Sequence, residues 1–363
     1  MKTDKRSSAV GKYFKEQNIE LTARRVFIDG LGGMAMGLFA SLLIGTIIGT
    51  VGTYFADISF SLWGREFKLF ADSKTFAAAV QGAAMACAIG YSMKAPPLVL
   101  YSLLTVGYAA NSLGGSGGPL AVFFVTIIAE FFGKLVSKRT PVDIIVTPAV
   151  TILTGVAAAS LIAPPIGMIG TAVGEFIMWT TEMHPFLMGV IVSAVMGIVL
   201  TLPISSAAIC ASFGIVGLAG GACVAGCCAH MVGFAVASYR ENKAGGLVAQ
   251  GLGTSMLQIT NLMKKPILWL PAVAASVVTG PVATCVFRME QNGFEIASGM
   301  GTCGLVGPIG VIVGWVNGAG ATASDWIGLV LVCIVLPAAV ALIVSEIMRK
   351  AGLIKFGDYK LDL

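Results

Sequence analysis

Positive charge is distributed very unevenly along this chain of 363 residues, and no other feature restricts its possible folds as strongly. Seven of its 23 Lys and Arg residues lie within residues 1–30, whereas residues 140–239 contain none. A hundred residues without a cation are predicted to be membrane spans joined by short loops. Only 11% of all residues are charged, against about a quarter in soluble domains. We therefore predict an all-α polytopic membrane protein, and the composition argues against a soluble catalytic domain and against binding of nucleic acid.

Clusters of basic residues mark the loops expected in the cytoplasm, and an even number of crossings must separate neighbouring clusters. The clusters lie at the N-terminus, at Lys94, at 134–139, at 240–243, at 264–265 and from Arg349 onward. The apolar runs between them are 31–55, 75–93, 96–113, 119–133, 142–163, 166–181, 185–203, 204–224, 225–239, 244–263, 266–287, 296–316 and 326–347. Parity predicts about ten transmembrane helices with two or three re-entrant segments, and both termini in the cytoplasm.

Helix-breaking residues indicate where the re-entrant segments lie. Residues 164–174 and 299–308 are rich in Gly and Pro, and 244–263 is a single run between two basic clusters, so it should be re-entrant or interfacial. Non-helical backbone at membrane depth is tolerated only where it is buried in protein or lines a wet cavity, so such breaks indicate a pathway. The alternative is that small residues merely allow helices to pack closely. Residues 56–74 mix aromatic and charged side chains and are predicted to form a helix in the interface plane.

A faint duplication suggests how the chain is organised. The pattern Met36-Gly37-x3-Ser41-x3-Gly45 recurs as Met188-Gly189-x3-Ser193-x3-Gly197. Other short similarities follow in the same order along both halves of the chain. We predict two repeats of opposite orientation, as in many secondary transporters. The predicted divisions are a basic cytoplasmic segment 1–30, repeat one 31–184, repeat two 185–348 and a cytoplasmic tail 349–363.

Charged groups within apolar runs are few, and most have an ordinary explanation. Glu130 lies one helical turn before Lys134, which allows an ion pair within the helix. Asp143 is expected at a helix start, where a carboxylate is favoured. His230 is either a hydrogen-bonded packing residue or part of a site. The nearby Cys223 and its neighbours are predicted to be packing residues, since a metal site would need further ligands.

Uncharged polar groups suit a neutral ligand rich in hydroxyl groups, although Ser and Thr often bond only their own helix backbone. No catalytic motif, metal site or cofactor is predicted; the partners are a small hydrophilic solute and membrane lipid. The candidate solute-binding residues are Gln81, Asn111, Ser205, Ser206, His230, Gln258, Asn261, Thr302, Gly304 and Pro308.

Three segments together resemble enzyme IIC, the membrane component of bacterial sugar phosphotransferase systems. They are the run Thr140 to Pro148, the run Pro185 to Ala208, and the Gly-rich loop Gly301 to Gly310. Residues 25–350 are more narrowly similar to the stand-alone branch that includes proteins labelled perfringolysin O regulator. The resemblance implies a ten-span homodimer in the bacterial inner membrane that gives alternating access to a sugar or polyol site.

The chain also departs from a complete phosphotransferase system. Neither a IIA nor a IIB domain is predicted in the short flanking segments, and the sequence Gly301-Thr302-Cys303-Gly304 lacks the glutamate of fructose-type permeases. Uptake coupled to a separate IIB protein and a permease without phosphate coupling both remain open. The alternative class is a membrane sensor that regulates gene expression, with the basic helix 12–25 as its output. An intramembrane hydrolase comes third, because no Ser/His or paired-Asp arrangement is recognisable.

Overall fold

The structure is a computed structural model that describes residues 13–14, 16–19, 22–54, 57–318 and 320–361, most of them helical. The described residues therefore leave out 1–12 and, within the segment 12–25 proposed as a sensor output, also 15, 20 and 21. The elements used below are α1 (Arg25–Thr53), β1 (Ser59–Leu62), β2 (Arg65–Lys68), α2 (Leu69–Ala79), α3 (Gln81–Ser92), α4 (Pro97–Gly114), α5 (Gly118–Val136), α6 (Asp143–Thr180), α7 (Pro185–Thr201), α8 (Ser206–Phe213), α9 (Gly217–Ala237), α10 (Tyr239–Val248), α11 (Ile259–Lys264), α12 (Pro266–Val286), α13 (Glu295–Ser298), α14 (Val306–Asn317) and α15 (Ala323–Lys350).

Six helical stretches of the described chain are long and apolar enough to cross a membrane, as expected for a multi-pass protein. They are Arg25–Thr53, Pro97–Val136, Asp143–Thr180, Gly217–Ala237, Pro266–Val286 and Ala323–Lys350. The second stretch turns at Gly115, whose φ is +50°, and Gly133 lies against Val99. It is therefore an antiparallel hairpin of α4 and α5, close to the predicted runs 96–113 and 119–133. The total of ten spans stays a prediction.

The predicted break at residues 164–174 is wrong. Helix α6 runs without interruption for 38 residues and contains Pro148, Pro164 and Pro165. At 1.5 Å per residue it is about 57 Å long, compared with about 30 Å of hydrocarbon. A proline removes one backbone N–H donor, but it does not end a helix whose other backbone groups are hydrogen-bonded. The proline pair was therefore not sufficient evidence for a break.

Two further predictions fail in detail. The runs 204–224 and 225–239 are not separate spans, because the short helix α8 ends at Gly214 (φ +61°) and α9 then continues unbroken through Ala225. Residues 59–68 form a β-hairpin instead of an interfacial helix, because Trp63 and Gly64 both adopt positive φ and reverse the chain. Among the described residues of 56–74, only those from Leu69 onward are helical.

The break predicted in 299–308 is confirmed, since regular helix resumes only at Val306, and the run 244–263, predicted from parity to be re-entrant or interfacial, also contains a break. Gly301, Gly304 and Leu305 have positive φ, and Thr254 is extended between two short helical turns. Their topology relative to a membrane stays a prediction.

The described residues form two compact units: unit one within Met1–Ser41 and Ala79–Gly167, and unit two within Leu42–Ala78 and Met168–Leu363. In unit two, α9 packs against α7 and α12, and α12 also packs against α7. Glycines permit this close approach: an added Cβ at Gly226 would lie 1.9 Å from the Ser193 carbonyl oxygen, and one at Gly280 would lie 2.0 Å from that of Gly189. The boundaries of the predicted inverted repeats stay a prediction.

Candidate solute-binding site

Three interruptions of regular helix meet in unit two, and hydroxyl hydrogen bonds join each of them to the other two. Break A is residues 201–206, between α7 and α8; break B is 249–258, between α10 and α11; break C is 299–305, between α13 and α14. The Thr201 and Ser255 hydroxyls are 2.8 Å apart and join breaks A and B. Ser206 donates to the Gly299 carbonyl oxygen at 2.6 Å and joins A to C. Thr302 donates to the Gly251 carbonyl oxygen and joins C to B.

His230 lies beside this junction, on α9, and is completely buried. Its Nδ1 is 3.1 Å from the Thr201 hydroxyl, which also donates to or accepts from the Ser255 hydroxyl. The ring is closely enclosed, since an added Cβ at Gly197 would lie 2.3 Å from its Cδ2 and the Trp269 ring centroid is 6.0 Å away. No described residue hydrogen-bonds Nε2. A buried polar atom without a hydrogen-bond partner destabilises the protein. A hydrogen bond from Nε2 to a bound hydroxyl group would offset that cost.

Break C is shaped by glycines that approach other backbone closely. An added Cβ at Gly299 would lie 2.4 Å from the Ser206 carbonyl oxygen, and one at Gly301 would lie 2.7 Å from the Cys227 carbonyl carbon. Gly304, at φ +52°, lies against Ile47, and Pro308 is buried in the first turn of α14. This irregular backbone is thus enclosed by protein, the condition under which it is tolerated at membrane depth.

A chain of buried amides extends from break B. Gln258 Nε2 donates to Gln250 Oε1 at 3.0 Å, and Asn261 Nδ2 donates to Gln258 Oε1 at 2.8 Å. Two members of this chain are also bonded to backbone about a hundred residues away: Gln258 to the Tyr359 carbonyl oxygen and Asn261 to that of Lys360. The side-chain amides of Gln258 and Asn261 are therefore held by protein in this conformation.

Those acceptors belong to the C-terminal segment, residues 352–361, which is docked against unit two. Tyr359 is fully buried and donates its hydroxyl to the Leu268 carbonyl oxygen at 2.8 Å; burial raises the pKa of this phenol. Asp358 pairs with Lys265 at 2.6 Å. Partial burial alone would raise the pKa of Asp358, but the Lys265 ammonium and the Lys355 N–H lower it below its usual value. The predicted tail is thus an ordered part of this unit, and its side of the membrane stays a prediction.

Six of the ten predicted site residues lie at the junction or in the amide chain; Ser205 lies in break A without a bond to another break, and Gln81, Asn111 and Pro308 lie outside the three breaks. Those at the breaks or the amide chain are Ser206, His230, Gln258, Asn261, Thr302 and Gly304. Ser205 caps α8 by accepting from the Ala208 N–H at 3.2 Å. Gln81 and Asn111 are half-buried in unit one, where Gly82 packs against Asn111.

Sequence reasoning missed Thr201, and it selected neither Ser255 nor Gln250 as a site residue. Thr201 lies four residues after Gly197 on α7, which puts both on the face that meets His230. That spacing was visible in the sequence, but nothing local identified the partner helix.

The cysteines near His230 pack in the interior. Cys227 lies 3.7 Å from the Met196 carbonyl oxygen, and Cys223 and Cys210 belong to the apolar core around Ile209. Within the described ranges, no three His, Cys, Asp or Glu side chains lie close enough to hold a metal ion.

One family model matches almost the whole chain: that described as phosphotransferase system, EIIC, aligns with residues 28–361. Searches of curated proteins and of solved structures found no match.

Proposed function

Because the chain belongs to the phosphotransferase system EIIC family, a family of transporter-type membrane proteins, we propose that it is a permease for a small neutral solute. The solute class is a sugar, a polyol or a related compound rich in hydroxyl groups. It would be carried across the bacterial inner membrane by alternating access, with both termini in the cytoplasm. Family membership favours this function over the sensor hypothesis.

The junction of breaks A, B and C beside His230 is the observation that supports this proposal most. Discontinuous helices form the substrate sites of many transporters, because freed backbone groups and short polar side chains then face one point. Here the three breaks are joined by single hydroxyl hydrogen bonds from Thr201, Ser206 and Thr302. Each such bond has a small net free energy, about 1 kcal/mol, so it can be exchanged for a bond to a solute hydroxyl.

The side chains at the junction also fit a neutral ligand. Thr201, Ser255 and Thr302 are uncharged donors and acceptors, and His230 contributes a ring nitrogen without a partner among the described residues. Such groups bind hydroxyls without the desolvation cost of a buried charge. Gln258 and Asn261 belong to the proposed site only in a state in which the C-terminal segment has released them.

Assembly and phosphate coupling form part of the same proposal. We expect a homodimer, and phosphorylation of the solute would require a separate IIB protein. Thr302 has its hydroxyl proton directed at Gly251, so it does not replace the carboxylate of the fructose-type loop. Uptake into proteoliposomes that contain only this protein separates the two modes, since a phosphate-coupled system requires IIB and a phosphoryl donor.

The binding test uses purified protein and a panel of neutral sugars and polyols. At least one compound should raise the melting temperature of the wild type, by preferential binding to the folded state. Thr201→Val and His230→Phe should remove that shift, while Ser160→Ala, an exposed hydroxyl that bonds only its own helix, should keep it. The proposal is wrong if no compound of the panel binds, or if binding is unchanged in both site variants.

A further inference from the structure

The β-hairpin of residues 59–68 has two chemically different faces. The strands pair in antiparallel register, with Phe60 opposite Phe67 and Leu62 opposite Arg65. Because successive side chains alternate between faces, these four share one face. The other face carries Ser59, Ser61, Glu66 and Lys68, which are all hydrophilic.

The apolar face has no partner that covers it within the described chain. The exposed fractions are 48% for Phe60, 46% for Leu62 and 90% for Trp63, which forms the turn. The Phe60 and Phe67 rings stack with centroids 5.4 Å apart, and the Arg65 guanidinium lies 5.6 Å from the Phe67 centroid. Two strands without a third strand or a helix to pack on are marginally stable in water. This hairpin therefore needs an apolar surface outside the chain itself.

Its position in the fold identifies that surface. The hairpin follows α1, a membrane-length helix that ends at Thr53, and leads directly into α2. Helix α2 returns along α1: Phe70 lies at Gly52, Lys74 at Gly49 and Ala77 at Gly45. The hairpin consequently projects from the end of this antiparallel helix pair, where a membrane span meets the headgroup region.

We propose that the apolar face of the hairpin, together with Trp63, lies in the headgroup region of the bilayer and anchors this end of α1. Tryptophan is favoured there, because its ring is apolar and its N–H can reach water or a lipid carbonyl. Arg65 can keep its stem against Phe67 while its guanidinium contacts a lipid phosphate. Asp57 fixes the base of the hairpin, because its carboxylate accepts from the Phe70 and Ala71 N–H groups at 3.0 and 3.3 Å.

The test places the full-length protein in nanodiscs that contain two photoreactive phosphatidylcholines, one with a diazirine in its acyl chain close to the headgroup and one with the diazirine at the end of the chain. After irradiation, mass spectrometry locates the lipid adducts. Adducts are expected within residues 58–67, as well as at Leu161 of α6, which is 77% exposed on a membrane-length helix and serves as the positive control.

Two matched variants test the orientation of the hairpin. Leu62→Ser with Trp63→Ser should lower hairpin labelling several-fold, while Ser61→Asn on the opposite face should leave it at the wild-type level. Absence of hairpin adducts while Leu161 is labelled would overturn the proposal, even if the variants fail to fold. Equal labelling of both faces would also overturn it. None of these results depends on which solute the protein carries.

Discussion

Buried polar groups are paired in opposite ways at two places, one in each unit. In unit one, Glu130 and Lys134 lie one turn apart on α5 and pair at 2.6 Å, with side chains only 1% and 3% exposed. Lys134 also donates to the carbonyl oxygens of Met93 and Asn18, at 2.7 and 3.0 Å. In unit two, the junction beside His230 consists of neutral groups from three separate breaks.

The two sets of buried groups differ in how easily their hydrogen-bond partners can be replaced. Lys134 Nζ donates to two backbone carbonyl oxygens and lies 2.6 Å from Glu130 Oε1, so separating the two charges would leave both groups unpaired in a medium of low dielectric constant. The neutral bonds at the junction carry no such penalty, so their partners can be replaced individually. We infer that the ion pair fixes a structure, whereas the neutral junction can change its partners. Four predictions test this contrast.

The largest loss of stability is expected for Lys134→Met. It leaves the buried Glu130 carboxylate without its counter-ion, which typically costs about 3–5 kcal/mol. Glu130→Gln should cost clearly less, because Lys134 retains both carbonyl acceptors. Thermal unfolding of the purified variants in one detergent measures the order, and equal losses would contradict a fixed, doubly supported ion pair.

Thr201→Val should have the next largest effect. It leaves both His230 Nδ1 and the Ser255 hydroxyl without their partner, at about 1–3 kcal/mol for each group. The matched control is Thr154→Val, because Thr154 is half-buried and bonds only carbonyls of its own helix. Similar melting temperatures for the two variants would show that the junction contributes nothing beyond ordinary helix bonds.

Gln258→Met should cost about 1–3 kcal/mol, since Gln250 Oε1 loses its donor while Tyr359 and Asn261 keep one other partner each. The same variant should also increase hydrogen exchange in residues 352–361. If exchange there is unchanged, the amide chain does not hold the C-terminal segment.

The smallest effect concerns the half-exposed pair of Asp358 and Lys265. Because its pKa is lowered in the folded state, Asp358 stabilises docking above its unfolded pKa of about 4, and this contribution is lost as the pH falls through the folded pKa. Solvent screening limits the gain to less than about 1 kcal/mol. Proteolysis of residues 352–361 should therefore rise at acid pH in the wild type, and Asp358→Asn should remove that dependence; an unchanged dependence would assign it to another group.

Local signals predicted the parts of the fold that depend on neighbours in sequence. The ion pair of Glu130 with Lys134 is confirmed, and so is Asp143, which opens α6 and accepts from the Lys138 N–H at 2.6 Å. The division between α4 and α5 agrees with the separate apolar runs predicted at 96–113 and 119–133. Each of these features depends on contacts between residues that are close in sequence, and a sequence pattern can reveal such contacts.

Contacts between distant residues could not be predicted in the same way. Gln258 and Asn261 looked like free ligands because their acceptors lie in residues 359–360, and backbone carbonyls have no sequence signature. The prolines at 164–165 show the opposite case. They are a strong local signal for a helix break, yet helix α6 continues through them. The hairpin at 59–68 was missed because its mixture of aromatic and charged residues also fits an amphipathic helix.

Docking of the C-terminal segment also imposes an order on biosynthesis. Gln258 and its acceptor at Tyr359 are 101 residues apart, and at about 5–20 residues per second their synthesis is separated by several seconds or more. Throughout that interval the amides of break B have no tail carbonyls to bond. Unit two therefore enters the membrane with this polar chain open and completes it only after α15 has been made.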